Sequence, residues 1–261
     1  MRILICFLLP VLLFGTERTC WYERDLQPII GGTYLIEEFS RIESTKRSTI
    51  AHFFTLSVLG SYDDYAIEFE TTAACGTHRS FGLDGMKLTG RIRWLNDIVG
   101  DSVSLVTGLT ASYATHQARH DLAAFHHGGI DGEGFVTVGR EWSKGAIWYR
   151  RLWGVAAVGG GDLGSPWIRA QIHYEKNFCF GKEGELFAES LVGFGKRRFD
   201  LQKFYSWGPI AHRSLDIGGK FSWRTDFCGI FSCGYTRRIW AQNYPEQANI
   251  GWLKWEYFFG I

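Results

Sequence analysis

Proline is scarce in this chain, 5 in 261 residues, and neither sign of charge prevails, with 28 Lys and Arg against 27 Asp and Glu. Few prolines leave the backbone free to enter hydrogen-bonded ladders. A near-neutral chain carries no electrostatic footprint for nucleic acid. Long hydrophobic runs are also missing. A bilayer-crossing helix needs about 20 apolar residues, and beyond the first fifteen positions the longest run, Leu152 to Val158, is brief and bounded by Arg151 and a glycine run. No internal repeat is evident beyond the strand itself. Glu17, Arg18 and Thr19 precede Cys20 without forming an acylation box, which argues against a lipid anchor.

What is present is aromatic residues at 16 %, among them 11 Trp, and 32 Gly. That mixture suits many strands joined by tight turns and flanked by aromatic girdles. Residues 1–15 have the form of a secretory signal, with basic Arg2, an apolar core from Ile3 to Phe14 and the small Gly15 as the expected cleavage point. Residues 16–28 are polar and aperiodic and are expected to form a periplasmic N-terminal tail. Residues 29–261 are then the folded domain. An exported chain of membrane character without a spanning helix leaves a closed barrel, because only helices and closed barrels satisfy every backbone hydrogen bond in lipid.

The last residues carry the clearest pattern. Gly251, Leu253, Trp255, Tyr257, Phe259 and Ile261 share one face, and Trp252, Lys254, Glu256 and Phe258 the other. This segment resembles the aromatic C-terminal signature of bacterial outer-membrane β-barrel proteins of the porin-like kind. The resemblance implies outer-membrane location, contact with lipopolysaccharide, and recognition by the barrel-assembly machinery through Leu253, Trp255, Tyr257 and Phe259. Similar alternation recurs upstream, best at His212 to Arg224, where Leu215, Ile217, Gly219, Phe221 and Trp223 oppose Ser214, Asp216, Gly218, Lys220, Ser222 and Arg224.

The expected architecture is all-β, a single antiparallel transmembrane barrel of twelve strands with short periplasmic turns and longer external loops. The first strand, Ile29 to Arg41, is poorly patterned, and Gly31–Gly32 suggests a bulge there. If it rises first, external loops fall at 42–49, 73–85, 115–133, 159–166, 196–211 and 239–248. The turns fall at 60–62, 96–101, 143–145, 178–184 and 225–226, each shorter than every loop. Residues 199–207 look strand-like and would extend neighbouring strands above the membrane. Arg150-Arg151 requires one arginine to face outward or a local bulge. The basic clusters Lys196-Arg197-Arg198 and Arg237-Arg238 fall at external ends.

Parity places Lys87, Arg91, Arg93, Arg169, His173 and Glu175 in the lumen, with Glu68 and Glu70 beside them. Asp216, Lys220, Arg224, Lys254 and Glu256 follow on the later strands. Mixed signs admit two expectations, an aqueous path with a transverse field or a lumen closed by ion pairs across it. The leading function is a passive channel for small hydrophilic solutes, with no cofactor implied and no enzymatic role favoured.

Two motifs suggest other chemistry. His78 and Ser80 lie two apart and share a face of an extended chain, as a base and its nucleophile would. The spacing resembles the His-x-Ser core of outer-membrane phospholipases and lipid A deacylases, with Phe81 where those families carry Asn, and it recurs at His212-Arg213-Ser214. A lipid hydrolase is therefore the alternative, with a non-catalytic envelope protein beside it. His116, His120, His126 and His127 lie in one loop with Asp121, Asp131 and Glu133, ligand types that suit Zn, Cu or Ni but match no strong spacing template. Signal removal leaves Cys20, Cys75, Cys179, Cys228 and Cys233, an odd number, with Cys20 or Cys179 as candidate cross-links to the envelope.

Overall fold

Among the described residues, side chains alternating at a period of two build thirteen strands: β1 (Gln27–Ile42), β2 (Thr45–Tyr62), β3 (Tyr65–Gly76), β4 (Arg79–Leu95), β5 (Ser104–Ala114), β6 (Ile130–Lys144), β7 (Ile147–Gly161), β8 (Trp167–Cys179), β9 (Lys182–Phe194), β10 (Ala211–Thr225), β11 (Gly229–Gln242), β12 (Pro245–Glu246) and β13 (Asn249–Phe258). The computed structural model describes residues 18–22, 26–43, 45–145, 147–179, 181–225 and 227–259. The signal read at residues 1–15 lies outside them.

Each strand pairs antiparallel with its neighbours, and the sheet closes because β1 pairs with β2 on one edge and with β13 on the other. The two-residue β12 adds to the far end of β1, leaving a wall of twelve strands. Closure removes the open edges that lipid would not tolerate. Ile29 pairs with Phe258, so the first and last strands share what is here called the terminal end. The opposite rim is the loop end.

The outer surface is apolar. Leu56, Val58, Ile67, Phe69, Leu88, Leu109, Ile172, Leu186, Ile217 and Leu253 are all exposed on it. Soluble monomers rarely expose so continuous an apolar surface, whereas a wall facing hydrocarbon requires one. Tyr62, Tyr65, Trp94, Trp223 and Phe259 ring the terminal end. Among the described residues no helix is long and apolar enough to cross a membrane.

Several connections differ from the sequence expectation. The loops placed at 42–49 and 73–85 are absorbed into strands, and residues 43–44 and 77–78 alone join them. Residues 96–103 at the terminal end form a longer connection, closed by a 3₁₀ turn over Asp97–Val99 that Asn96 caps. Not every loop therefore exceeds every turn. β2 runs for 18 residues and β4 for 17, well beyond the roughly 9–11 that cross a bilayer. Past the membrane both faces of a strand are wet, and the alternation that identifies it fades.

The poorly patterned first strand is continuous with its partners. Gly31 and Gly32 pair in register with Glu256 and Trp255, and the irregularity lies instead at Phe39/Arg41. A Cβ on Gly31 would come within 2.5 Å of Ser57 Oγ, so the glycine serves the close approach of β2. Residues 199–207 form no strand extension. Asp200 caps a 3₁₀ turn at Leu201–Lys203, and Trp207 is wholly buried among the loops. Arg151 turns inward to Glu141 at 2.7 Å, while Arg150 turns outward over the Trp142 and Tyr149 rings, with a register shift at Trp142/Ser143 accommodating both.

Candidate functional site

The inner wall is built by a recurring pairing. Six aromatic rings stand directly opposite an inward glycine on the next strand: Phe135 on Gly108, Trp153 on Gly139, Trp167 on Gly159, His212 on Gly193, Phe187 on Gly218 and Trp252 on Gly234. In five of the pairs a Cβ added to the glycine would collide with the partner's ring, which occupies that space and lies along the wall; at Gly139 it would meet Trp153 Cβ and the Trp21 ring. Cross-strand partners have Cβ atoms about 5 Å apart, which makes glycine the residue that admits a ring there. This pairing accounts for six of the 32 glycines.

Polar side chains fill the remaining inward positions and pair along the wall. Arg91 bonds Glu68 on the adjacent strand, and Lys87 stands 3.8 Å from its cross-strand partner Glu70. Lys220 lies 2.5 Å from Glu185, which also receives His173 Nδ1 at 2.5 Å. Arg238 holds Asp216 at 2.9 Å and reaches Glu37 at 3.5 Å, with β13 between their strands. Arg169 bridges Glu133 at 3.6 Å and Glu189 at 3.8 Å. These partners sit on adjacent or next-but-one strands. The charges run around the circumference instead of spanning the axis.

The axis is left with space. A cavity of about 400 Å³ is lined by these groups other than Glu133, together with Trp153, Phe187 and Trp252. It adjoins a second, of about 290 Å³, toward the loop end, and both share Arg18, Glu37, Glu70, Lys87 and Arg169 in their walls. The larger is lined by seven Lys or Arg and six Asp or Glu, so the lumen is nearly balanced and its signs are interleaved. Opposed acidic and basic rings, which a transverse field would require, are not how these groups are arranged.

Of the lumen positions read from parity, Lys87, Arg91, Arg169, His173, Asp216, Lys220 and Lys254 line this cavity. Arg93 and Glu175 are buried nearer the terminal end, holding other parts in place. Glu256 pairs with Lys254 at 2.9 Å, and Arg224 is exposed with its guanidinium over the Phe258 ring. Parity alone did not bring out Glu37, Glu185, Glu189 or Arg238.

Two segments enter the lumen. Residues 18–22, expected as part of a trailing tail, lie inside the terminal end. Arg18 sits 2.5 Å from Glu133 and over the Phe135 ring. Trp21 Nε1 donates to Asp97 at 2.9 Å, Arg151 lies over its indole, and Arg93 donates to the Tyr22 carbonyl. Cys20 is fully buried in a cluster with Val106, Phe135, Trp153 and Val155, its thiol 3.9 Å from the Ser104 carbonyl. That position is out of reach of a second chain. Cys75, Cys228 and Cys233 are free thiols as well, and the Cys179 side chain lies outside the described residues.

The connection between β5 and β6 enters from the other end. After a single helical turn, α1 (His116–Arg119), capped by Thr115, residues Leu122 to Ala124 and His126 to Gly128 are buried and Phe125 lines the cavity. His126 Nε2 meets Asp84 at 2.8 Å, and Arg79 bonds the same carboxylate. The His127 ring stacks on Trp167 at 3.9 Å, and Trp167 donates to Glu133 at 2.8 Å. Trp207 donates to the Ala124 carbonyl at 3.1 Å, fastening residues 195–210 over the inserted loop. Phe39, Leu122, Trp207 and Tyr244 form the apolar core of this cap.

The two alternative motifs are placed as follows. His78 and Ser80 are exposed at the β3–β4 connection, and the Ser80 hydroxyl accepts from Gln117 Nε2 at 3.1 Å. His116 and His120 are exposed with their rings tilted at 34° and centroids 4.5 Å apart, while His126 and His127 are buried with the partners above. Among the described residues no three metal-ligating side chains converge.

The sequence matches no protein-family model and no curated protein. The fold does have counterparts. An outer-membrane channel from Pseudomonas putida F1 superposes with a TM-score of 0.66 at 12% identity, over 92% of this chain and 97% of that one. The NanC porin superposes with a TM-score of 0.57 at 8% identity, over 90% of this chain and 100% of that one. At such identities the likeness is one of fold: a closed antiparallel barrel of the outer-membrane, porin-like type.

Proposed function

We propose that the protein is a passive channel for small hydrophilic solutes in a bacterial outer membrane. One observation carries the reading: the lumen charges pair around the wall and leave an axial cavity of about 400 Å³. Eight strands leave room only for side chains and sixteen to eighteen enclose a wide channel; at twelve, flat rings and wall-hugging ion pairs decide whether space remains. A carboxylate or guanidinium paired to its neighbour keeps little affinity for a passing ion, which suits passage over capture. The inserted loop and the N-terminal segment narrow the path to small solutes.

In the same reading the apolar face of β13, with Leu253, Trp255 and Tyr257, and Phe259 just after it meet lipid and are the surface offered to the assembly machinery. Lys196, Arg197 and Arg198, exposed at the loop end, meet the phosphates of lipopolysaccharide. Single-channel recording in planar bilayers tests the proposal. Discrete conductance steps from the purified barrel are expected, and a barrel that stays silent at all voltages would exclude it. Acyl release that depends on Ser80 would favour the hydrolase instead.

A further inference from the structure

Three of the six rings, Phe187, Trp252 and Trp153, line the cavity of about 400 Å³; at Gly218 and Gly234 a Cβ would meet the ring itself, whereas at Gly139 it would meet Trp153 Cβ, Trp21 and Cys20. Phe187 and Trp252 each lie against the wall because the cross-strand partner, Gly218 or Gly234, has no side chain. We infer that Gly218 and Gly234 set the width of the path by keeping these rings out of it. The inference rests on the channel reading and assigns that channel its width-determining residues.

The argument is steric. A Cβ on Gly218 would overlap Phe187 Cζ and stand 2.8 Å from both Phe187 Cε2 and Thr236 Oγ1. Nothing flexible gives way there, since the near atoms belong to a rigid ring and a short side chain. Sideways escape along the wall is closed as well. His173 stacks beside Phe187 at 5.6 Å on one flank, and Thr236, the other cross-strand neighbour of Gly218, occupies the opposite one. The remaining direction is toward the axis. Trp252 is confined in the same way, between Gly234 and Leu35, its partners on either side. Staggered χ1 wells mean that a displaced ring swings to another rotamer and does not shift slightly. It then projects into the lumen.

Gly90 on β4, between the inward Thr89 and Arg91 and so on the outer face, has no such duty. No atom lies within 4 Å of its Cβ position, so alanine is accommodated there. Of the other four pairs, Trp153 also lines the larger cavity but its glycine, Gly139, stands against Trp21 and Cys20 of the inserted segment, Trp167 lines the smaller cavity, and Phe135 and His212 line neither.

The test is single-channel recording of the full chain carrying Gly218→Ala, Gly234→Ala, Gly90→Ala, Phe187→Ala and Gly218→Ala/Phe187→Ala. Gly218→Ala and Gly234→Ala are expected to lower conductance at least about two-fold, since a projecting ring removes much of a lumen already narrow at twelve strands. Gly90→Ala is expected to match wild type. Phe187→Ala serves as the reference for the double variant, and in that background Gly218→Ala should lose its effect. Wild-type conductance from a folded Gly218→Ala or Gly234→Ala barrel would overturn the inference, as would a fall that persists without Phe187. If one glycine variant does not fold, the other decides. A silent wild-type barrel would instead exclude the channel reading, and a crystal structure of Gly218→Ala would then judge the packing: Phe187 still on the wall overturns it, and Phe187 in the lumen upholds it.

Discussion

Arg18 stands 2.5 Å from Glu133, which binds the start of the described chain to the inward face of β6. Glu133 also takes Arg169 at 3.6 Å and the Trp167 indole at 2.8 Å. One carboxylate therefore ties the N-terminal segment to the wall and to the ring that supports the inserted loop. A charge-assisted hydrogen bond of this kind contributes about 1.5–3 kcal/mol, roughly ten- to a hundred-fold in a docking equilibrium. Arg18→Ala should release residues 18–22 from the lumen while leaving the strands intact. Larger conductance and faster proteolysis near the N-terminus are the expected outcomes. If both match wild type, the segment is not held by this contact.

The inserted loop should respond to pH through His127. Burial pushes its imidazole down to about 2, with repulsion from His212, Arg169 and His126 adding to the shift. Released into solvent, the same ring would titrate near 6.5. Below about 6.5 the released loop takes up a proton that the docked loop refuses, so docking is strongest above that value and weakens as pH falls toward 2. The slope is about 1.4 kcal/mol per unit, or about 2 kcal/mol by pH 5. Gating transitions should become more frequent on acidification, and His127→Gln should remove that dependence. A wild-type record unchanged between pH 7 and 5 would count against the loop as a gate.

Asp84 offers an independent handle on the same loop. It accepts from His126 Nε2 at 2.8 Å and is paired with Arg79, whose guanidinium also reaches Asp121 at 3.5 Å. Asp84→Asn keeps the shape and one acceptor oxygen but removes the charge that holds a buried arginine. Breaking a buried pair in this way costs about 3–5 kcal/mol. The expected result is a noisier, more open channel and protease access within residues 120–129. An unaltered digestion pattern would show that Trp207 and the apolar cap hold the loop without it.

The architecture was legible in the sequence because a membrane wall imposes a period of two with opposite polarity on its faces. β10 and β13 show it plainly, and the closing face from Leu253 to Phe259 told which side met lipid. Legibility failed wherever that contrast was lost. β2 and β4 extend past the membrane, where water on both faces permits Thr45 or Arg79 at either parity, so their ends passed for loops. Residues 18–22 carry no period at all, and their place in the lumen depends on Glu133 and Asp97, more than seventy positions away in the chain. Glycine content was visible as a number, but its pairing with rings needs register, which single strands do not disclose. The parity list likewise named Asp216 and Lys220 without their partners, Arg238 and Glu185, since the strands supplying those partners alternate less sharply.

Ion selectivity should turn on Lys87. Its side chain is the freest of the cavity's cations, 52 % exposed within the lumen, and its cross-strand partner Glu70 is 3.8 Å away, beyond a close hydrogen bond. Arg91, Arg238 and Lys220 are instead buried against their carboxylates and present little uncompensated field. With seven cations and six anions around the cavity, one loosely held ammonium tips the balance toward anions. Lys87→Glu would place a second carboxylate beside Glu70 and reverse that sign, whereas Lys87→Gln would only neutralise it. In a salt gradient the wild-type reversal potential should indicate weak anion preference, the Gln variant should lie near zero, and the Glu variant should move to the cation side. Raising the salt should shrink all three differences, because a field from an exposed group is screened within about 10 Å at 0.1 M. A reversal potential that stays put across the three proteins would assign selectivity to the narrower region around the inserted loop.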